Sequence, residues 1–230
     1  LAPVESVSYK ARDGLEIPSY LTLPREREPK GLPLVVVPHG GPFARDEWFY
    51  DYEVQFLANR GYAVLQPNFR GSTGYGKAFV EKGEGQWGRG MQDDIDDGVK
   101  WLVERGIVDP KRVCIMGASF GGYAAMWAAA RNPEIYRCAI SYAGVSDVEA
   151  MLRYDRKLFT ATRYYRSWRS DVQGDEDFDL ATVSPLKAVD RIGIPLLLAH
   201  GSRDETVPPS HTKKMHAALT KANKPHEYVI

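Results

Sequence analysis

The chain has 230 residues, a length that suits one large α/β domain with a sizeable buried core. Lysine plus arginine and aspartate plus glutamate both number 30, so no overall charge favours nucleic acid or an anionic membrane as a partner. No stretch approaches the roughly 18 consecutive apolar residues of a membrane span, and the first residues do not form a signal peptide.

The cysteines and the two ends of the chain carry limited information. Cys114 and Cys138 lie within or beside apolar runs, which favours buried free thiols over a disulfide and leaves the cellular compartment open. The chain starts without methionine and stops at Ile230 inside a predicted strand, with no turn or cap after it. We therefore expect residues 1–230 to be a single domain that is truncated at both ends.

The first third of the chain predicts a hairpin followed by a βαβ unit. Apolar and polar residues alternate over 4–10 and 15–23, which predicts an antiparallel hairpin at the leading edge of a sheet. Buried strands are predicted over 34–37 and 63–65, with a helix over 47–60 between them. Gly41 follows the first of these strands, where open α/β sheets bind ligands, so its N–H is a candidate hydrogen-bond donor.

A second glycine-rich loop, over 68–76, follows the strand at 63–65 and carries Tyr75 between two glycines. Tyr75 could point its hydroxyl into the site. From this loop alone, packing of the side chain under the loop explains Tyr75 equally well. Next comes a helix predicted over 93–105, which opens with four aspartates. Acids are favoured in a first helical turn by the helix dipole and by capping, and no histidine or cysteine stands at ligand spacing, so we predict no metal site there.

The nucleophile candidate lies where an apolar strand beginning at Val113 runs directly into an alanine-rich helix. The junction has the pattern G-x-S-x-G, in which Gly117 and Gly121 leave room for a sharp strand-to-helix turn around Ser119. Such a turn exposes the serine hydroxyl and points the next N–H, that of Phe120, at the position of a carbonyl oxygen. Ser119 is thus predicted as a nucleophile, Phe120 N–H as an oxyanion donor and Gly41 N–H as a candidate second donor.

The segment from 148 to 183 combines aromatic and basic side chains. Nucleic-acid-binding proteins use this combination, but the neutral net charge argues against such a partner. An aromatic-lined wall for an apolar substrate side chain is the better interpretation. We expect the pocket to draw on Val145, Tyr154 and Val207.

The acid candidate is Asp204, in the loop that follows a buried strand predicted over 194–199. It comes after the serine, as the chain order Ser, Asp, His of the α/β hydrolases requires. A helix predicted over 209–223 and a last strand over 227–230 complete the alternation of strands and helices along the chain. The predicted fold class is therefore α/β, an α/β-hydrolase fold with a mostly parallel central sheet and helices on both faces.

A serine needs a base to take its proton, and none of the five histidines fits this role well. His211 and His216 lie in the helix that leads away from the acid, and His226 opens the last strand at the end opposite the catalytic edge. His39 and His200 precede the acid at strand ends, where a structural role is ordinary. We expect the base in a loop just beyond Ile230.

Five motifs in order make the chain resemble the catalytic domain of the prolyl oligopeptidase family of serine peptidases, nearest to acylaminoacyl peptidases and bacterial dipeptidyl aminopeptidases. The resemblance runs from about Pro33 to the end. The motifs are His39-Gly40-Gly41-Pro42, the loop 68–76, Gln92-Asp93-Asp94, residues 117–123 and residues 200–208.

The resemblance implies Ser119 as nucleophile, Asp204 as the acid that orients the base, and Phe120 N–H as one oxyanion donor. The second donor is implied to be the Tyr75 hydroxyl or the Gly41 N–H, depending on the branch of the family. It also implies a short peptide or acyl-peptide substrate, no cofactor and no metal. Two features of the family are missing from the chain, an amino-terminal β-propeller and a Gly-His loop after the last strand.

Two other functions fit the same residues. A carboxylesterase would use the same machinery on esters, and a hydrolase-like binding module without catalysis would not need the base. A homo-oligomer is compatible with the sequence, which does not specify how subunits would assemble. Without its base, the polypeptide as it stands is expected to hydrolyse almost nothing.

Overall fold

The computed structural model describes all residues from 1 to 230 and contains one eight-stranded sheet. The strands are β1 (Val4–Lys10), β2 (Glu16–Thr22), β3 (Leu32–Val36), β4 (Ala63–Pro67), β5 (Val108–Ala118), β6 (Cys138–Tyr142), β7 (Leu196–Ala199) and β8 (His226–Val229). Their order across the sheet is β1-β2-β4-β3-β5-β6-β7-β8. The β1–β2 and β2–β4 pairs are antiparallel and all others are parallel. The predicted leading hairpin and mostly parallel sheet are confirmed.

Seven α-helices connect and flank these strands. They are α1 (Tyr52–Asn59), α2 (Lys77–Glu81), α3 (Gly90–Glu104), α4 (Phe120–Arg131), α5 (Val148–Leu158), α6 (Thr162–Gln173) and α7 (Ser210–Lys221). Three short 3-10 turns lie over Leu180–Val183, Pro185–Lys187 and Val189–Arg191. Every residue of α4 except its last is buried, because alanine and glycine let this helix pack closely on β5 and β6.

The parallel strands bring five loops to one edge of the sheet. The carboxyl ends of β3, β4, β5, β6 and β7 all point in the same direction. The glycine-rich loops after β3 and β4, the serine after β5 and the acid's loop after β7 therefore meet along that edge, where α/β sheets bind ligands.

Two elements, α1 and β5, depart from their predicted bounds. Helix α1 begins at Tyr52 rather than at residue 47, because the Asp51 carboxylate accepts hydrogen bonds from the N–H groups of Glu53 and Val54 and so caps the helix there. Strand β5 begins at Val108 rather than at Val113, with an irregularity between the pairs Leu32 with Val108 and Leu34 with Val113.

The acidic residues of α3 form specific ion pairs, which the explanation of these acids by the helix dipole and capping did not include. The helix begins at Gly90, so that only Asp93 lies in its first turn. Buried Asp94 pairs with Arg70 at 2.7 Å, and Asp97 pairs with Arg12 at 2.8 Å. These carboxylates fasten α3 to the loop after β4 and to the turn after β1.

The prediction of free thiols is wrong, because Cys114 and Cys138 form a disulfide. The two residues are directly paired on the neighbouring strands β5 and β6, with their Cα atoms 4.8 Å apart. That separation lies within the range a disulfide bridges. None of the helices combines the length and the apolarity needed to cross a lipid bilayer.

Candidate active site

Ser119 occupies the sharp turn between β5 and α4 in a conformation that serine rarely adopts. Its φ of 55° and ψ of −118° lie outside the regions favoured by L-residues. The backbone on both sides fixes this conformation: the Ser119 N–H donates to the carbonyl of Tyr142 at 3.0 Å, and its carbonyl accepts from the N–H of Tyr123 at 2.9 Å. A strained serine held between a strand and a helix is the arrangement of the nucleophile elbow.

The two glycines of the G-x-S-x-G pattern are required because backbone segments approach each other closely. A Cβ atom at Gly117 would lie 2.6 Å from the carbonyl carbon of Gly121, and one at Gly121 would collide with the carbonyl oxygen of Pro38. Pro38 precedes the first glycine-rich loop. The pattern therefore packs the serine turn directly onto that loop.

The His39-Gly40-Gly41-Pro42 loop lies beside the serine. A Cβ atom at Gly40 would be 3.6 Å from the Cβ of Ser119. Gly41 has a φ of 125°, which favours glycine, and its N–H donates to no backbone carbonyl. Phe120 is the first residue of α4, so its N–H belongs to the helix donors that have no partner within the helix. Two N–H groups are thus free near Ser119.

Asp204 lies in the loop after β7 and is anchored by its own backbone. Its Oδ1 accepts hydrogen bonds of 2.9 Å from the N–H groups of both Thr206 and Val207. Its Oδ2 lies 3.5 Å from Nε2 of His200, and 23% of the side chain is exposed. Accepting two N–H bonds on one oxygen orients the carboxylate and leaves its other oxygen available to a further donor.

A cavity of about 280 Å³ connects these elements. Ser119 and Gly41 line it together with Val145, Thr206 and Val207. The serine turn, the first glycine-rich loop and the acid's loop therefore border one space. This volume suits a single amino-acid side chain better than a large ligand.

Tyr75 and Tyr154 do not line that cavity. The Tyr75 hydroxyl accepts a hydrogen bond of 2.9 Å from the side-chain amide of Asn68, and partial burial raises the pKa of Tyr75. The Tyr154 hydroxyl donates to the carbonyl of Glu205 at 2.7 Å, and its ring lines a separate cleft of about 720 Å³ beside His211. In that position Tyr154 braces the acid's loop from outside.

The three buried histidines that could approach the loops are held by structural partners. His39 Nδ1–H donates to the carbonyl of Gly40, its Nε2 bonds to the Ser72 hydroxyl, and burial lowers its pKa to about 4. His211 Nδ1 accepts a hydrogen bond from the N–H of Ser146 at 3.2 Å, and burial lowers the pKa of His211 to about 4. His200 bonds through both ring nitrogens, to Thr212 and to the carbonyl of Val207.

The remaining two histidines, His216 and His226, bond to each other at 2.8 Å. They lie on α7 and at the start of β8, where β8 pairs with Leu196 at the amino end of β7. That end of the parallel strands is opposite the edge that carries Ser119. All five histidines thus have local partners of their own.

Several cavity residues were not singled out from the sequence. Trp87 precedes α3, and Met151, Asp155 and Leu158 lie on α5. Trp168, on α6, also lines the cavity and comes from the aromatic segment that was predicted to form the pocket wall. The sequence analysis placed an aromatic wall in the region of α5 and α6, but it predicted no helix there from which inward-facing positions could be selected. With α5 starting at the Asp147 cap, the four-residue spacing of Met151 and Asp155 would have put them on one face.

The fold, with its serine at the strand-to-helix turn after β5, defines the protein class as an α/β hydrolase. Within that class, the chain belongs to the prolyl oligopeptidase family, whose sequence model matches residues 48–230. The fold class and the family predicted from the five motifs are confirmed.

Known proteins similar to this chain are peptidases. Dipeptidyl aminopeptidase BIII of Pseudoxanthomonas mexicana is 37% identical over 245 residues, which cover all of this chain and 35% of that protein. A puromycin-hydrolyzing peptidase of Mycobacterium tuberculosis superposes with a TM-score of 0.90 at 29% identity, covering all of this chain and 35% of the other. The acylaminoacyl peptidase of Pyrococcus horikoshii superposes with a TM-score of 0.87 at 25% identity, covering 100% of this chain and 37% of that protein. The chain thus spans about a third of the length of these relatives.

Proposed function

We propose that the whole protein is a serine peptidase that hydrolyses peptide bonds of short peptides through an acyl-enzyme on Ser119. The observation that carries this proposal is the strained Ser119, which borders one cavity with the free N–H of Gly41 and the loop of Asp204. Membership of the prolyl oligopeptidase family supports it independently.

In the proposed reaction, Ser119 Oγ attacks the carbonyl carbon of the substrate while a general base takes the hydroxyl proton. The carbonyl oxygen becomes an oxyanion that accepts hydrogen bonds from the N–H groups of Phe120 and Gly41. The base then protonates the leaving amine, and the acyl-enzyme forms. Water, deprotonated by the same base, releases the acyl group and restores the serine.

The base of this reaction is proposed to be a histidine that follows Ile230 in the whole protein. Each of the five histidines within residues 1–230 has structural partners elsewhere, as described above. Strand β8 runs parallel to β7 with Val229 beside Ala199, so the chain that follows leaves the sheet at the edge where Asp204 lies. The isolated polypeptide 1–230 is accordingly expected to be about 10⁴ to 10⁶ slower than the whole enzyme in kcat.

Three variants of the whole protein test the assignment. Ser119→Ala is expected to abolish hydrolysis of peptidyl 4-nitroanilides and labelling by a fluorophosphonate. Asp204→Asn should lower kcat by about 10⁴ because the base loses its orientation. Ser202→Ala, an exposed change in the same loop, is the matched control and should keep full activity. Labelling at the wild-type rate in Ser119→Ala would refute the nucleophile. Hydrolysis of matched esters with no cleavage of any peptide bond would indicate an esterase.

The second oxyanion donor is proposed to be Gly41 rather than Tyr75. Gly41 borders the cavity of Ser119, whereas the Tyr75 hydroxyl bonds to Asn68 outside it. Tyr75→Phe should therefore keep kcat within about threefold of wild type, because removing a true oxyanion donor costs about 10² to 10³. A loss of that larger size would assign the role to Tyr75.

We further propose that another domain of the whole protein covers residues 48–56. Trp48, Phe49, Tyr50, Tyr52 and Phe56 are each more than half exposed, and apolar patches of this kind mark interaction surfaces. The relatives above are about three times longer than this chain, which leaves room for such a domain, in the prolyl oligopeptidase family a β-propeller. Hydroxyl-radical footprinting of the whole protein should find these side chains protected; rapid oxidation of all five would contradict the proposal.

A further inference from the structure

The cavity of Ser119 contains one charged side chain, that of Asp155. Only 7% of this residue is exposed. Its Oδ2 accepts a hydrogen bond of 2.8 Å from the indole Nε1–H of Trp168, and its Oδ1 has no hydrogen-bond partner within the chain. No lysine, arginine or histidine pairs with it. A buried carboxylate of this kind is uncommon unless it meets a cation or a further donor.

The position of Asp155 follows from the amphipathic pattern of α5. Met151, Asp155 and Leu158 recur at spacings of four and three, which places them on one face of the helix, and all three line the cavity. Arg153 and Lys157 lie on other faces and are exposed. The helix therefore turns its basic residues to the outside and Asp155 toward the cavity that Ser119 lines.

The surroundings of Asp155 suit a cation that brings an apolar stem with it. Burial raises the pKa of Asp155, and the hydrogen bond from Trp168 opposes that shift. A positive charge next to the carboxylate would stabilise its ionised form and relieve the cost of burying it unpaired. The rings of Trp87, Phe159 and Trp168 also line the cavity, and aromatic faces attract ammonium and guanidinium groups.

We infer that this cavity receives a lysine or arginine side chain of the substrate, with its apolar stem against the cavity walls and its cationic end on the carboxylate of Asp155. Because Ser119 and Gly41 both line the cavity, this side chain belongs to the residue whose carbonyl is attacked. Asp155 is then a specificity-determining residue. The inference rests on the proposed peptidase function and adds the class of substrate to it.

The test compares pairs of peptidyl 4-nitroanilides on the whole enzyme, in which one member carries a cationic side chain and the other a neutral one. The pairs are arginine against its near-isostere citrulline, and lysine against norleucine, which lacks the ammonium group. The wild-type enzyme should favour the cationic member in kcat/KM by about tenfold or more, as expected for a hydrogen bond to a charged group. Asp155→Asn keeps an oxygen that accepts from Trp168 and removes only the charge, so it should bring both ratios close to one. Asp171→Asn, on α6 outside the cavity, should leave them unchanged.

Equal wild-type rates on the two members of each pair would overturn the inference. So would an Asp155→Asn variant that loses the same factor on charged and neutral substrates, because that result means that Asp155 only positions Trp168. Calorimetric binding of the arginine and citrulline peptides to the Ser119→Ala protein separates this test from catalysis. Tighter binding of the arginine peptide without any turnover by the wild type would support the cation site and refute the peptidase; equal binding would overturn the cation site.

Discussion

A buried ion pair between Arg70 and Asp94 links the loop after β4 to helix α3. The Asp94 side chain is fully buried and Arg70 is only 12% exposed. The carboxylate accepts from the Arg70 backbone N–H at 2.8 Å, from Nε at 2.9 Å and from Nη2 at 2.7 Å. This pairing raises the pKa of the Arg70 guanidinium.

We expect Asp94→Asn to destabilise this region strongly. Removing one partner of a buried pair costs about 3 to 5 kcal/mol, because the other charge stays buried and uncompensated. Here Asp13 also lies 2.9 Å from Arg70 Nη2 and would retain part of the interaction, so the lower end, about 3 kcal/mol, is expected. Asp13 itself is half exposed, and Asp13→Asn should cost no more than about 1 kcal/mol.

Hydrogen exchange measured by mass spectrometry on the whole protein is the suitable assay, because it reports the opening free energy of α3 and β4 separately from other domains. Exchange of α3 amides should accelerate about 100-fold or more in Asp94→Asn and less than about tenfold in Asp13→Asn. Equal acceleration in the two variants, or less than tenfold in Asp94→Asn, would refute the reasoning.

Two other predictions concern packing and pH. Gly121→Ala should give little folded protein, because its Cβ would collide with the carbonyl oxygen of Pro38, whereas Gly201→Ala has open space and should behave as wild type; a normal melting temperature for Gly121→Ala would contradict the packing argument. Buried His211 has a pKa of about 4 against 6.5 for a free histidine, so the unfolded chain binds the extra proton first as the pH falls. Stability should therefore drop between pH 6.5 and 4, by about 2 kcal/mol at pH 5 from this residue. His211→Gln should have a correspondingly flatter profile in urea unfolding, and an unchanged slope would contradict the assignment.

The sequence was most informative where one residue type alone satisfies the backbone. The spacing of Gly117, Ser119 and Gly121 predicted the serine turn, since no other residue leaves room for the contact with Pro38. Continuous apolar runs likewise predicted the buried parallel strands. In both cases the signal is local and the physical requirement is strict.

The features that sequence reasoning missed depend on the register between distant elements. Cys114 and Cys138 are 24 residues apart, and only the pairing of β5 with β6 brings them into contact. In the sequence, Asp155 is an acid within a basic and aromatic segment, and only the start of α5 at the Asp147 cap fixes which face of the helix it occupies. Trp168, which donates a hydrogen bond to Asp155, lies on the following helix. Helix propensity alone does not predict that these two side chains meet.

The backbone of Ser119 has a consequence for attempts to improve this protein. A φ of 55° costs a serine about 1 to 3 kcal/mol, and glycine adopts it without a steric penalty. Selection for thermostability alone would therefore favour glycine at position 119 and discard the hydroxyl. A stabilisation programme for this fold has to screen for turnover at every round. At position 119 glycine is expected to raise thermal stability, whereas the proposed reaction needs the serine hydroxyl.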